Sequence, residues 1–239
     1  MDRNVEAAIT LKLERDYGDQ SVWERSRLES VSALSVKHAR SLDGLSSCPN
    51  LEVLVLVGCE ISALSDISGL DSLVSLAVED SALRSLTGVQ QWDLSSLRVK
   101  RNLVEDLAPL TQLPGLRRID VTGNPLSRAS QWEVIPELIS RGVEVTSSLK
   151  REREITLRLH AFGLPFSYYR TSAGFRLGRP GLHFSDDPEA GHPFIEPDEM
   201  DALLTGPLES VRKDVHGLFS REDLMWPKGD GEIHGMVSP

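Results

Sequence analysis

The residues best suited to chemistry are His183, Asp186, Asp187 and His192. Imidazoles and carboxylates at loop spacing are ligands for zinc or a harder divalent ion, and an open coordination position would activate water for hydrolysis. Glycine and proline near both histidines imply turns. No His-x-x-x-His pair marks a helix, and neither cysteine pairs with another at ligand spacing. The plain alternative is a solvated acidic loop. His160, His216 and His234 are scattered, and Ser167, Tyr168 and Tyr169 stand in no nucleophile motif. Neither a phosphate-cradling glycine loop nor a Gly-x-Ser-x-Gly elbow occurs. The sequence predicts no cofactor, and an enzyme remains an alternative with its site in 162–204.

The elements that would position such residues are dominated by a repeat of about 22 residues. Apolar residues fall at Leu51, Leu54, Leu56, Cys59, Ile61, Leu64, Ile67 and Leu70, then restart at Leu73, Leu76, Val78, Ser81, Leu83 and Leu86. A third turn runs through Leu94, Leu97, Val99, Asn102, Val104 and Leu107, and a fourth begins Leu116, Ile119, Val121, Asn124. Upstream, Val31, Leu34, Val36 and Ala39 fit the same start with two residues missing before Leu42.

Over 31–146 this pattern resembles the leucine-rich repeat proteins, and its length is similar to the internalin-like, 22-residue class of bacterial type. The resemblance implies an α/β fold: a short solenoid with a parallel concave sheet, closed by N- and C-terminal caps. It also implies an asparagine column whose side chains bond to backbone after each strand. Here that column reads Ala39, Cys59, Ser81, Asn102 and Asn124, so the first repeat should be the least regular. The resemblance further implies a recognition scaffold that binds another protein.

If the leucines point inward, the alternate strand residues face solvent on the concave side. Along the axis this face changes from apolar (Val53, Val55, Val57) to acidic (Glu79, Asp80) to basic (Arg98, Lys100, Arg101), with Asp120 beyond. Such a mosaic suits a protein surface of matching charge. These nine residues are the expected partner-binding set.

Residues 1–30 should cap the solenoid. Ile9, Leu11 and Leu13 alternate with polar residues, the period of a half-buried strand. At the other end, Ser130 and Glu133 read as a capping box, opening a helix whose apolar face would be Trp132, Ile135, Leu138 and Ile139. Trp132→Ala should then cost about 3–5 kcal/mol.

Residues 147–239 lose the repeat and read as a small α+β region with a frayed tail beyond Gly229. Ile155, Leu157 and Leu159 echo the alternation near the N-terminus. Phe166 to Phe184 suggests two or three antiparallel strands, with helices starting at Pro197 and Pro207 and a short turn after Ser220. Cations predominate from Lys150 to Arg179 and carboxylates from Asp186 to Asp201, so these halves are expected to face each other or a partner.

The formal charge of −10 over 239 residues argues against a nucleic-acid footprint. It suits a second reading, an immunity or inhibitor protein that occludes a basic toxin or enzyme. No apolar run approaches the roughly 18 residues of a membrane span, and Met1-Asp2-Arg3-Asn4 lacks the apolar core of a secretory signal. Cys48 and Cys59 occupy repeat positions and read as buried, reduced residues. Together these features predict a cytoplasmic protein.

Overall fold

Each Leu-x-x-Leu-x-Leu segment forms one strand because its apolar residues recur every second position, so one face is buried. The computed structural model describes residues 1–18, 23–67, 69–182 and 187–227. Strands β1 (Ala33–Lys37), β2 (Val53–Val57), β3 (Ser75–Glu79), β4 (Ser96–Arg98), β5 (Arg118–Asp120) and β6 (Glu144–Thr146) make a six-stranded parallel sheet in chain order. Leu34 aligns with Leu54, Leu76, Leu97, Ile119 and Val145 in turn, and the first step is two residues shorter than the second. Short 3-10 turns return the chain on the opposite side, at Leu45–Ser47, Leu64–Asp66, Val89–Gln91 and Ala108–Gln112. This is a leucine-rich-repeat solenoid, with one core running from Val5 to Val143.

The polar column supports the turns as a ladder. Asn102 Oδ1 accepts from Leu83 N–H at 3.2 Å, while its Nδ2 donates to the Val78 and Lys100 carbonyls at 2.7 and 3.0 Å. Asn124 repeats this with Val104, Val99 and Val121. Ser81 Oγ accepts from Cys59 N–H at 3.1 Å and donates to the Glu79 carbonyl at 3.0 Å. The Cys59 thiol only reaches carbonyls at 3.6 and 3.7 Å.

The N-terminal cap differs from the expected strand. Residues Arg3–Tyr17 form helix α1, and Arg25–Glu29 a short α2. Val5, Ile9 and Leu13, spaced by four, are buried against the first repeat, whereas Leu11 is 67% exposed. The alternation of Ile9, Leu11 and Leu13 was a coincidence laid over a helical stripe. Asp2 decides the matter locally: its Oδ1 accepts from Asn4 and Val5 N–H, and its Oδ2 from Arg40 and Ser41 N–H. One carboxylate thus starts the helix and ties it to the first turn of the solenoid.

Burial opposes the Asp2 charge, but these backbone donors prevail and hold its pKa below the ordinary aspartate value. A depressed folded-state pKa contributes stability above the unfolded value, near pH 4, that is lost as pH falls through the folded one. Asp2→Ala should therefore cost about 1 kcal/mol near neutral pH. In thermal melts the gap from the parent protein should close below about pH 4.

At the C-terminal cap, Arg128 and Ala129 are already helical, followed by a π turn over Ser130–Val134 and helix α3, Ile135–Ser140. Ser127, not Ser130, caps it: Ser127 Oγ accepts from Ser130 N–H at 3.1 Å. Ser130 is buried and bridges to the previous turn, donating to the Glu105 carbonyl and accepting from Leu107 N–H. The wider π turn rotates the apolar face, so Val134 and Leu138 are buried while Trp132 is 66% and Ile139 55% exposed. Trp132 is therefore not the buried core residue that its spacing suggests, and Trp132→Ala leaves no cavity. The substitution should change stability by no more than about 0.5 kcal/mol, measured by chemical denaturation.

A second core, Ile155 to Leu224, lies in the C-terminal region. Helix α4 (Lys150–Ala161) buries Ile155 and Leu159 but leaves Leu157 39% exposed, the same helical stripe beneath apparent alternation. Strands β7 (Ser167–Thr171) and β8 (Gly174–Gly178) form an antiparallel hairpin, followed by helices α5 (Pro197–Leu203) and α6 (Leu208–Leu218) and a turn at Glu222–Leu224. The opposed charges do meet: Arg151 and Arg158 both engage Asp201, and Arg151 reaches Asp198 at 3.0 Å. Phe184 and the tail beyond Gly229 lie outside the described residues. Among the described residues no helix is long and apolar enough to cross a membrane.

Candidate functional site

At the equivalent position past each of β1 to β5, one residue beyond the first three strands and three beyond the shorter β4 and β5, the backbone turns left-handed, at His38, Gly58, Asp80, Arg101 and Gly123 (φ 59, 59, 49, 53 and 76°). Glycine adopts this conformation freely, whereas other residues pay roughly 1–2 kcal/mol. Asp80 and Arg101 recover that cost by bonding each other: Arg101 Nε and Nη2 reach the two Asp80 oxygens at 2.7 and 2.6 Å.

Both are shut away from solvent, at 1% and 5% exposure. What covers them is the C-terminal region. The Arg101 guanidinium lies 4.9 Å from the Tyr169 ring centroid on β7, and its Nη1 is 3.1 Å from Glu189. Gly181 N–H donates to the Asp80 carbonyl at 3.0 Å. A Cβ on Gly123 would stand 3.0 Å from Arg101 Cγ and 3.3 Å from Ser167 Cβ, so glycine permits this approach. Burial works against the Arg101 charge, but Asp80 outweighs it and raises the guanidinium pKa.

Asp80 and Arg101 were expected to meet a partner protein. They hold the protein's own C-terminal region instead. Glu79 likewise gathers the cations of this face, lying 3.2 Å from Arg98, 3.5 Å from Lys100 and 3.5 Å from Arg101. The acidic and basic zones read along the chain therefore neutralise one another in space.

The same junction contains an acid–base line. Tyr169 Oη lies 2.8 Å from His192 Nδ1, and His192 Nε2 lies 4.0 Å from Asp80 Oδ1. Tyr169, His192 and Asp80 are 2%, 1% and 1% exposed, so substrate has no access to them in this conformation. Burial also pushes the Tyr169 hydroxyl pKa up, away from the range of a useful base. The arrangement is a structural junction.

Of the four expected metal ligands, His183 and Asp186 lie outside the described residues. Asp187 is exposed and accepts from Glu189 N–H at 3.0 Å, whereas His192 is buried in the junction. Among the described residues no three His, Cys, Asp or Glu side chains are grouped to hold a metal ion. Cys48 and Cys59 are free and buried.

Elsewhere the outward strand residues remain reachable. Val53 is 38% exposed, Arg98 is exposed, and Val55, Val57, Lys100 and Asp120 are half-buried. Sequence reasoning missed the neighbouring wall: α1 stands beside β1 and β2, enclosing an open groove of about 480 Å³ whose floor includes Val53 and Val55. The signal was the exposed Leu11, hidden by reading its segment as a strand.

No protein-family model matches the sequence, and no curated protein matches it. Among solved structures, an internalin (inlF) from Listeria monocytogenes is 20% identical over 65% of this chain and 53% of its own, with a TM-score of 0.46. Internalin C2 (inlC2) from the same organism is 16% identical over 62% of this chain and 93% of its own, with a TM-score of 0.34. The chain spans about half the length of the first of these.

Proposed function

We propose that the protein is a non-enzymatic interaction module that binds another protein through the part of its concave face left open by its own C-terminal region. The observation that carries this reading is an apolar surface, Val53 with Val55 and Val57, lying outward on a sheet whose other face is already packed. Exposed apolar surface beside polar residues is the usual mark of a contact site. Arg98, Lys100 and Asp120 extend the surface along the sheet.

In this reading 31–146 is the recognition scaffold, 1–30 its cap, and 147–239 a region that fixes one edge of the scaffold. The finer possibility of an inhibitor that occludes a basic enzyme draws on the formal charge of −10. Two free, buried thiols suit a reducing compartment.

Affinity capture with the full chain, compared with a Val53→Asp, Arg98→Glu variant, tests the proposal. Loss of the same partner from the variant, with melting unchanged, is the expected result. Equal capture by both proteins would reject the concave face.

A further inference from the structure

The groove between α1 and the first two strands has a chemistry that specifies what fits it. Its floor and wall are apolar, formed chiefly by Leu11, Leu34, Val53 and Val55, and Leu11 is 67% exposed. The charged residues lining it are Lys12 and Arg15, both cations, on a chain whose formal charge is −10. Lys12 pairs with Asp16 at 2.7 Å. Arg15, on the next residue but two along the helix, is exposed and makes no ion pair among the described residues.

An extended segment could add to a sheet only at a free strand edge. Both edges of β2 are taken, by β1 and β3, and α1 packs against β1. A helix needs no such edge. It binds by laying an apolar stripe, spaced i, i+3, i+4 and i+7, into a groove of this kind.

Resting on the concave-face reading above, the geometry points to one occupant: an amphipathic helix of the partner protein, with an apolar stripe on Val53, Val55 and Leu11 and carboxylates along the flank beside Arg15. The cations select an acidic helix over a basic one, since like charges at a rim slow encounter and oppose docking.

The test is selection of 20-residue peptides from a displayed random library on the full-length protein, without counter-selection, followed by comparison of binding to the parent, Val53→Asp, Arg15→Glu and Arg98→Glu proteins. Enriched peptides are then synthesised and titrated by fluorescence anisotropy. Apolar residues at helical spacing with Asp or Glu on one flank are expected, and binding should weaken at least tenfold with Arg15→Glu. Both substitutions are at exposed positions, and circular dichroism melts confirm that the variants are folded. Basic peptides, peptides indifferent to Arg15→Glu, or no enrichment would overturn the proposal. Peptides lost with Arg98→Glu but retained with Val53→Asp would overturn this groove while leaving concave-face binding intact.

Discussion

Arg101→Ala should destabilise the protein by about 3–5 kcal/mol, the cost of leaving a buried charge without its partner. Asp80, 1% exposed, would keep its carboxylate and lose both guanidinium bonds, while Tyr169 and Glu189 would lose the group around which they pack. The double variant Asp80→Ala, Arg101→Ala should recover much of the loss, because it removes the orphaned charge as well. Chemical denaturation of the single and double variants checks both statements. A single-variant cost below about 1 kcal/mol would mean that the ion pair does not anchor the C-terminal region.

The second large effect lies in the ladder. Asn102→Ala removes an acceptor from Leu83 N–H and a donor from the Val78 and Lys100 carbonyls. Each buried group left without a partner costs about 1–3 kcal/mol, so a total near 3 kcal/mol or more is expected. Cys59→Ala in the same column should cost only about 1 kcal/mol, since its thiol makes long, weak contacts at 3.6 and 3.7 Å. Equal losses in the melting of the two variants would contradict the ladder.

The solenoid was legible because each leucine position repeats the same local demand: an apolar residue inward on a strand, a polar one at the turn. That demand is independent of distant residues, and the register from Leu34 to Val145 follows it. The cap helix was misread for a local reason. Ile9 and Leu13 satisfy both a period of two and a spacing of four, and the deciding evidence, Asp2 bonding to Arg40 and Ser41, comes from a distant turn. Trp132 failed through the π turn, which no apolar pattern announces.

The concave face was half legible. Alternation correctly turned Val53, Val55 and Arg98 outward. It could not reveal that Asp80 and Arg101 are covered by Tyr169, Gly181 and Glu189, residues at least 68 positions further along the chain. A clue did exist in the column itself: glycine at 58 and 123 marks a left-handed position, and Asp80 and Arg101 occupy it against their own preference. Non-glycine residues in such places call for a compensating contact. Here that contact is the junction with the C-terminal region.

The proposed partner site is the open apolar end of the concave face. The most direct measurement is photo-crosslinking to the captured partner from benzoylphenylalanine placed at Val53, with the same group at Asp198 as control, a position whose side chain is 98% exposed. A crosslink from position 53 and none from 198 is the expected result. A crosslink from 198 alone would move the binding surface to the C-terminal region and contradict the account.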